Sequence, residues 1–195
     1  TSGGSLPLEF GLALQSVGPA LAHLARSMLN RVVLLTGGGR GILPENLIEE
    51  NSDWTGFGPV VKLAGDLASR VMAELSPVSA MPLVLAGGME DEAMFSPLVV
   101  ERLNRQIEAL RMLAAVEALL AAQAIDLQHM HLCGPVGTIH AAVRSVSPFF
   151  DRDRSLSIEV EAVEKKLAQL SLLEKIEGFH EATSTDELVF AALEA

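Results

Sequence analysis

The longest run of this sequence without glycine or proline begins after Pro97, and its first 30 residues, 98–127, read LVVERLNRQIEALRMLAAVEALLAAQAIDL. Ser96-Pro97 is typical of a helix start, with serine at the N-cap and proline in the first turn. At 1.5 Å per residue such a helix is about 45 Å long, more than a domain of this size would span alone. Its second half is mostly alanine and leucine on every face, so we expect it to be buried in a bundle.

The spacing of apolar residues in the rest of the chain also predicts helices, and no internal repeat or strand pattern contradicts this prediction. The core helices are predicted at about 8–31, 57–75 and 97–127, and closing helices at about 136–195. A long loop rich in Gly, Pro, Asn and Asp separates the first two core helices over residues 36–58. The sequence therefore predicts an all-α chain in which residues 1–195 form one helical segment.

The composition favours burial of this chain against other protein. Hydrophobic residues make up 49% of the 195 residues, and mean hydropathy is +0.35. The uncharged stretches after Glu9 and Glu74 are shorter than the roughly 18 residues of a membrane span, so no membrane partner is expected. The net charge of −11 argues against nucleic-acid binding. One cysteine, Cys133, and the lack of a signal-peptide pattern predict a cytoplasmic location.

The stretch VVLLTGGGRGIL at residues 32–43 resembles the dinucleotide-binding turn of short-chain dehydrogenases. That function needs a strand before the turn and a helix after it. Helical periodicity precedes the turn here, and Pro44 and Asn46 would spoil the following helix. The chain also has no tyrosine for the catalysis of that family. A loop that ends a helix is the better interpretation.

Five segments resemble, in order, the C-terminal part of the aromatic amino-acid ammonia-lyase and aminomutase family. They are SGGSLPLEFGLAL, LLTGGGRGILPENL, DWTGFGPVVKLAGDLASRV, AGGMEDEAMFSPLVVERLNRQ with the long helix behind it, and GTIHAAVRSVSPFFDRDRSL. The family patterns they resemble are, in turn, SGGNFHG, Gly-Leu-Pro-Pro, SGF, QEDH and a VPF…DRPL joint. The resemblance covers most of the chain.

This resemblance implies a long-helix bundle of the ammonia-lyase (L-aspartase-like) type, assembled as a tetramer with active sites shared between subunits. It also implies a split or cleaved enzyme acting on an amino acid or an amino-acid-derived substrate. The partner would be the N-terminal half of the same precursor or a sister subunit, in an obligate hetero-oligomer. The family electrophile, methylidene-imidazolone, is expected in that partner chain and not in this one.

The resemblance also assigns site residues. Glu90 falls on the active-site carboxylate of the histidine lyases, where it would take or hold a proton. Met89 stands in place of the family glutamine and Glu92 in place of the histidine. Ser5 and Leu6 replace polar and aromatic residues of the glycine loop. We therefore expect Met89, Ser5 and Leu6 to line a reshaped substrate pocket, and ordinary histidine or phenylalanine deamination is in doubt.

The first residue raises a second hypothesis. A chain that begins at Thr1 combines a hydroxyl nucleophile with its own α-amine as general base, as in self-cleaved amidohydrolases and acyltransferases. Gly87 and Gly88 are expected to contact the substrate, and their amides would then serve as oxyanion donors. A split gene or a nick in the glycine loop would equally explain the start. A third hypothesis is a lyase-like scaffold without catalysis.

A metal site is a weaker possibility. The segment HMHLC places His129, His131 and Cys133 at alternate positions, which suits a metal only in an extended segment, and no fourth ligand is evident. We predict no metal in this chain.

Overall fold

The computed structural model describes residues 8–49, 52–78, 87 and 95–169. Five α-helices lie in this part of the chain: α1 (Leu8–Thr36), α2 (Val60–Ala73), α3 (Ser96–Leu127), α4 (Gly134–Arg144) and α5 (Ser157–Ala168). Two short 3₁₀ helices, Gly39–Gly41 and Glu45–Leu47, interrupt the loop between α1 and α2. None of the described residues forms a strand, so the all-α fold class is confirmed.

α3 is the central helix and contacts each of the other four. Pro97 lies in its first turn, as the sequence predicts, but the N-cap residue is Phe95 and not Ser96, and no side chain caps this end of the helix. No glycine or proline follows Pro97 before Leu127. Its inward residues Leu113, Val116, Leu119 and Leu120 are almost fully buried. The alanine-rich second half thus forms the middle of the core, as expected for a helix that is apolar on most faces.

α1 packs on α3, and its buried face carries apolar side chains. Ala22, Ala25, Met28 and Val32 lie on its buried face, and α1 continues through Pro19. The sequence placed the end of this helix near residue 31, but it runs on to Thr36. There Val32 is fully buried, and the Thr36 hydroxyl donates to the Val32 carbonyl at 2.9 Å.

α1 and α3 run parallel, and α2 runs antiparallel to both. Gly18 lies against Gln106 at one level of the bundle, and Arg31 pairs with Glu117 further along both helices. Gln106 also donates to the carbonyl of Val71, near the end of α2. The starts of α1 and α3 and the end of α2 therefore lie at the same end of the bundle.

The outer side of α1 leaves an apolar stripe exposed in the single chain. Phe10, Val17 and Leu24 are seven residues apart, which places them on one helix face, and they are 54%, 41% and 48% exposed. No helix in the described ranges combines the length and the hydropathy that crossing a membrane requires. The last predicted helix, in residues 170–195, lies outside the described residues.

The glycine turn follows a helix and not a strand. Gly38, Gly39, Arg40 and Gly41 all have positive φ, and the amide of Leu43 donates to the Gly38 carbonyl at 3.0 Å. These residues close a tight loop after α1, where glycine tolerates the left-handed conformation best. The structure thus agrees with a loop that ends a helix and lacks the strand that a dinucleotide site requires.

Candidate functional site

Most of the site residues predicted from the sequence lie outside the described part of the chain. This applies to the following six residues: Thr1, Ser5, Leu6, Gly88, Met89 and Glu90. Gly87 is described; it is exposed and has a φ of +67°, and no other described residue has an atom within 4 Å of the position that a Cβ would take. Their predicted roles therefore stay predictions.

The helices nevertheless show where the two predicted site segments join the bundle. Residues 1–7 lead directly into α1, and residues 88–94 lead directly towards α3. Because α1 and α3 run parallel, both segments attach to the same end of the bundle. We call this the site end; the opposite end holds the last turns of α1 and α3.

A cavity of about 200 Å³ lies at the site end, between α1, α3 and the turn that follows α2. We call it the Gln106 cavity. Its apolar wall is formed by Pro19, Leu75, Pro77, Val78, Val99 and Leu103, and its polar wall by Gln15, Glu74, Ser76, Arg102 and Gln106, with Gly18 opposite Gln106.

Gln106 is the most deeply buried polar side chain in this wall, with 1% of its surface exposed. Its Nε2 donates to the Val71 carbonyl at 2.8 Å and lies 3.5 Å from the Gly18 carbonyl. A Cβ on residue 18 would lie 3.2 Å from the Gln106 Oε1. Glycine at position 18 therefore lets the glutamine side chain reach between α1 and α2.

Charged side chains tie the end of α2 to the first turns of α3 beside this cavity. Arg105 donates to both carboxylate oxygens of Glu74, at 2.8 and 3.1 Å. Arg102 donates through Nη1 to the Ser76 carbonyl at 2.6 Å, and its buried Nε lies 3.8 Å from Glu74 without a hydrogen bond. These contacts fix the turn that closes one side of the cavity.

A second polar cluster lies at the opposite end. Gln123 is fully buried; its Nε2 donates to the carbonyls of Leu47 and Phe150, and its Oε1 accepts from the Phe150 amide and from Arg144. Asp126 accepts from Arg144 at 2.6 Å and is paired with His140 at 2.7 Å. The cluster joins α3 to α4 and to the loops on either side, so its role is to hold these elements together.

The sequence did not single out Gln106 or Gln123. Each is a lone polar residue at an inward position of a long apolar helix, and Gln123 lies within ALLAAQAI. A buried amide must find hydrogen-bond partners, so such a residue indicates a helix-to-loop or helix-to-helix contact. The partners themselves, at residues 18, 47, 71 and 150, have no sequence signal.

Two carboxylates with lowered pKa lie at the start of α5: Asp153 in the segment before the helix and Glu159 in its first turn. The backbone amides of Thr55 and Gly56 donate to Asp153, at 2.9 Å each, and hold the pKa of its carboxyl below the ordinary value. Burial alone would raise the pKa of Glu159, but hydrogen bonds from Arg154 and Ser147 outweigh it, and that pKa is also lowered. Both groups are thus structural anions at neutral pH.

The histidines of HMHLC do not form a metal site in the structure. His129, His131 and Cys133 are all exposed in the connection between α3 and α4. Throughout the described ranges, no group of three or more His, Cys, Asp or Glu side chains is arranged to hold a metal ion.

Similar sequences come from one family. The sequence model of the family described as aromatic amino acid lyase matches residues 3–145. The histidine ammonia-lyase of Shewanella woodyi is 29% identical over 163 residues, which are 83% of this chain and 32% of that protein. The histidine ammonia-lyase of Legionella pneumophila is 27% identical over 168 residues, which are 85% of this chain and 33% of that protein. The chain thus spans about a third of the length of these relatives.

Solved structures show the same helical arrangement. Histidine ammonia-lyase from Trypanosoma cruzi superposes with a TM-score of 0.82 at 22% identity, covering 89% of this chain and 34% of that one. The ergothionase of Treponema denticola, described as an ergothioneine-degrading enzyme, superposes with a TM-score of 0.80 at 26% identity, over 85% of this chain and 34% of that one. The parallel pair α1 and α3, the core built on α3 and the matched residues 3–145 agree: this chain belongs to the aromatic amino acid lyase family.

Proposed function

We propose that this chain is the C-terminal part of an ammonia-lyase-like enzyme that acts on an amino acid or an amino-acid-derived substrate. The observation that carries the proposal is the family match over residues 3–145, with histidine ammonia-lyases among the relatives. We place the protein in a reducing, cytoplasmic compartment because it has a single cysteine.

The rest of the enzyme is provided, in this proposal, by the N-terminal half of the same precursor or by a sister subunit. The two polypeptides form a hetero-oligomer, with the pairs assembled as a tetramer. The exposed stripe of Phe10, Val17 and Leu24 supports this proposal, because contiguous apolar surface of this kind marks a protein interface. The chain spans about a third of the length of its relatives, so most of such an enzyme lies outside these 195 residues.

The electrophile of the proposed reaction comes from that partner. Methylidene-imidazolone forms by cyclisation of an Ala-Ser-Gly type tripeptide, and none of the described residues supplies one. When present, the group supplies an electrophilic carbon. Because no source of the group lies in the described part of the chain, we derive no step through it.

This chain contributes the proton-handling carboxylate, Glu90, and part of the substrate pocket. Ser5, Leu6, Gly87, Gly88 and Met89 are the proposed pocket residues. The parallel course of α1 and α3 supports this grouping, because the segments 1–7 and 88–94 attach to the same end of the bundle. A positioned carboxylate that takes or holds a proton contributes about 10²- to 10⁴-fold to a rate.

The test is ammonia release by the protein purified with its partner, measured over a panel of amino acids that includes histidine. We expect the variant Glu90→Gln to lower kcat at least about 100-fold. Glu101→Gln is the matched control: it makes the same change on the exposed surface of α3 and should stay within about threefold of wild type. Full activity in Glu90→Gln would refute the assignment of Glu90.

The same preparation separates the other two hypotheses. Covalent capture of Thr1 by an acylating inhibitor, without ammonia release, would replace the lyase with an N-terminal-threonine hydrolase. An assembly with no turnover of any substrate and no captured nucleophile would indicate a scaffold. Intact-mass analysis of the partner shows at once whether a precursor was cut and whether an imidazolone is present.

A further inference from the structure

We propose that residues 170–176 pack along α3 beyond the end of α5 and cover an exposed apolar patch of α3 near the site end. The patch consists of Val100 and Ile107, which are 42% and 43% exposed although both side chains are large and apolar. We call it the α3 patch. The proposed occupant is a segment of this same chain that lies outside the described residues.

The α3 patch continues the side of α3 on which α5 packs. Arg111 of α3 pairs with Glu164 of α5 at 2.7 Å. Ile107 and Val100 lie four and eleven residues before Arg111, and both spacings return to nearly the same side of a helix. At 1.5 Å per residue, they lie about 6 and 16 Å beyond Arg111 towards the site end.

The direction of α5 leads the chain onto this patch. Phe150, in the segment before α5, bonds to Gln123 near the end of α3, whereas Glu164, later in the chain, pairs with Arg111. α5 therefore runs antiparallel to α3, and its last turn points towards the site end. The amide of Gln169 still donates to carbonyls in that turn, so the chain leaves α5 in the same direction.

The residues that follow α5 have the length and the composition to cover the patch. Counted along the helix axes from the pair of Arg111 and Glu164, residue 168 is level with Ile107 and residue 175 with Val100. Residues 170–176 read LSLLEKI, with four large apolar side chains among seven residues. Packing this segment on the α3 patch removes apolar surface from water on both sides, which is favourable.

A second copy of this chain is the competing occupant. Its binding has to overcome the loss of translational and rotational freedom of a whole molecule. The segment 170–176 is tethered to α5, which holds it beside the patch at an effective concentration of about millimolar order. The tether therefore favours the segment over a second copy.

The inference does not rest on the proposed lyase function, because it concerns packing and not turnover. A preparation that releases no ammonia tests it equally well. Conversely, an active lyase whose segment 170–176 does not contact α3 would overturn this inference and leave the proposed function untouched.

The test is cross-linking of the full-length protein, in complex with any partner that co-purifies. Cys133 is the single cysteine of the chain and is exposed, so Cys133→Ser provides the background. Asn104→Cys adds a thiol between the two patch residues, and Lys175→Cys adds one to the segment, so that the apolar side chains stay intact. We expect a short bis-maleimide to join these two thiols within one chain.

The matched control replaces the thiol on α3 with one on α2. Ser69 is exposed and lies two residues before Val71, whose carbonyl accepts from Gln106, so Ser69→Cys is near the same level of the bundle. We expect the pair with Asn104→Cys to react at least about tenfold faster than the pair with Ser69→Cys. Equal rates would show that the segment does not rest on α3, and cross-links between two chains would assign the patch to a second copy; either result overturns the proposal.

A change in the patch itself completes the test. Ile107→Ser removes an apolar side chain that the fold does not bury, so the variant should fold and should slow the cross-link at least about fivefold, because the segment loses its apolar contact. Ile158→Ser makes the same change at a residue of α5 that is 78% exposed, and it should leave the rate unchanged. An unchanged rate in Ile107→Ser would refute the docking of residues 170–176 on the α3 patch.

Discussion

Replacing Gln123 by leucine tests most sharply how this fold is held together. Gln123 is fully buried within α3 and makes four hydrogen bonds, of 3.2, 2.9, 3.0 and 3.1 Å. Leucine has a similar size, so the variant Gln123→Leu leaves no large cavity. The substitution removes the four hydrogen bonds and leaves the volume of the side chain nearly unchanged.

The expected loss follows from the groups left unpaired. The carbonyl of Leu47 and both the amide and carbonyl of Phe150 are backbone groups of buried residues. An unsatisfied buried group costs about 1–3 kcal/mol. Allowing for some relaxation of the loops, we expect Gln123→Leu to lower the free energy of unfolding by about 3–5 kcal/mol, a large part of the 5–15 kcal/mol typical of a protein.

The measurement is urea unfolding at fixed protein concentration, with Gln106→Leu as the matched control. Gln106 is as deeply buried and lies on the same helix, but it makes one short hydrogen bond, to the Val71 carbonyl. We therefore expect Gln106→Leu to lower the free energy of unfolding by only about 1–3 kcal/mol. A loss below 1 kcal/mol in Gln123→Leu, or equal losses in the two variants, would contradict the role given to the buried amide.

Two further predictions concern Gly56, just before α2, and Glu159, in the first turn of α5. Gly56 has a φ of +67°, and a Cβ there would lie 2.6 Å from the Asn46 carbonyl oxygen, so Gly56→Ala should lower stability by about 2–4 kcal/mol. The control is Gly41→Ala, at φ +85° with no atom of another described residue within 4 Å of the added Cβ, which should lower the free energy of unfolding by only about 1–2 kcal/mol. Both variants are compared by thermal unfolding, and equal losses of stability would argue against the clash at Gly56. Because the pKa of Glu159 is lowered by folding, its contribution to stability is complete above its ordinary value of 4.5 and is lost as pH falls through the folded-state pKa. The Tm difference between wild type and Glu159→Gln should thus be larger at pH 7 than at pH 3, and a difference independent of pH would refute this linkage.

The sequence predicted the helices well where the signals are local. The sequence predicted α3 at about residues 97–127 from Ser96-Pro97 and from the lack of glycine and proline after them, and the structure has this helix at Ser96–Leu127. The end of α1 was harder, because Val32 and Val33 are β-branched and favour strands. The structure keeps them helical, and Val32 is fully buried in the core, which no local pattern records.

The predicted site could be reached only through family resemblance. The described structure brings the attachment points of its two segments to one end of the bundle, and it leaves the roles of Glu90 and Thr1 as predictions. The Gln106 cavity was not predicted at all. Its wall combines residues from positions 15–19, 74–78 and 99–106, and none of these segments alone has the pattern of a binding site.

The sequence alone determined that this chain is helical, that 49% of its residues are hydrophobic, and that it is similar to the aromatic amino acid lyases. These properties follow from side-chain periodicity, helix-start residues and motif order, all of which can be read from the sequence without knowing which residues meet in space. Only the tertiary structure decided that α1 and α3 run parallel, that Gln106 and Gln123 bond to distant backbone groups, and that a cavity opens beside Gly18. Those features depend on which helix faces meet, and that is set by the packing of residues far apart in the chain.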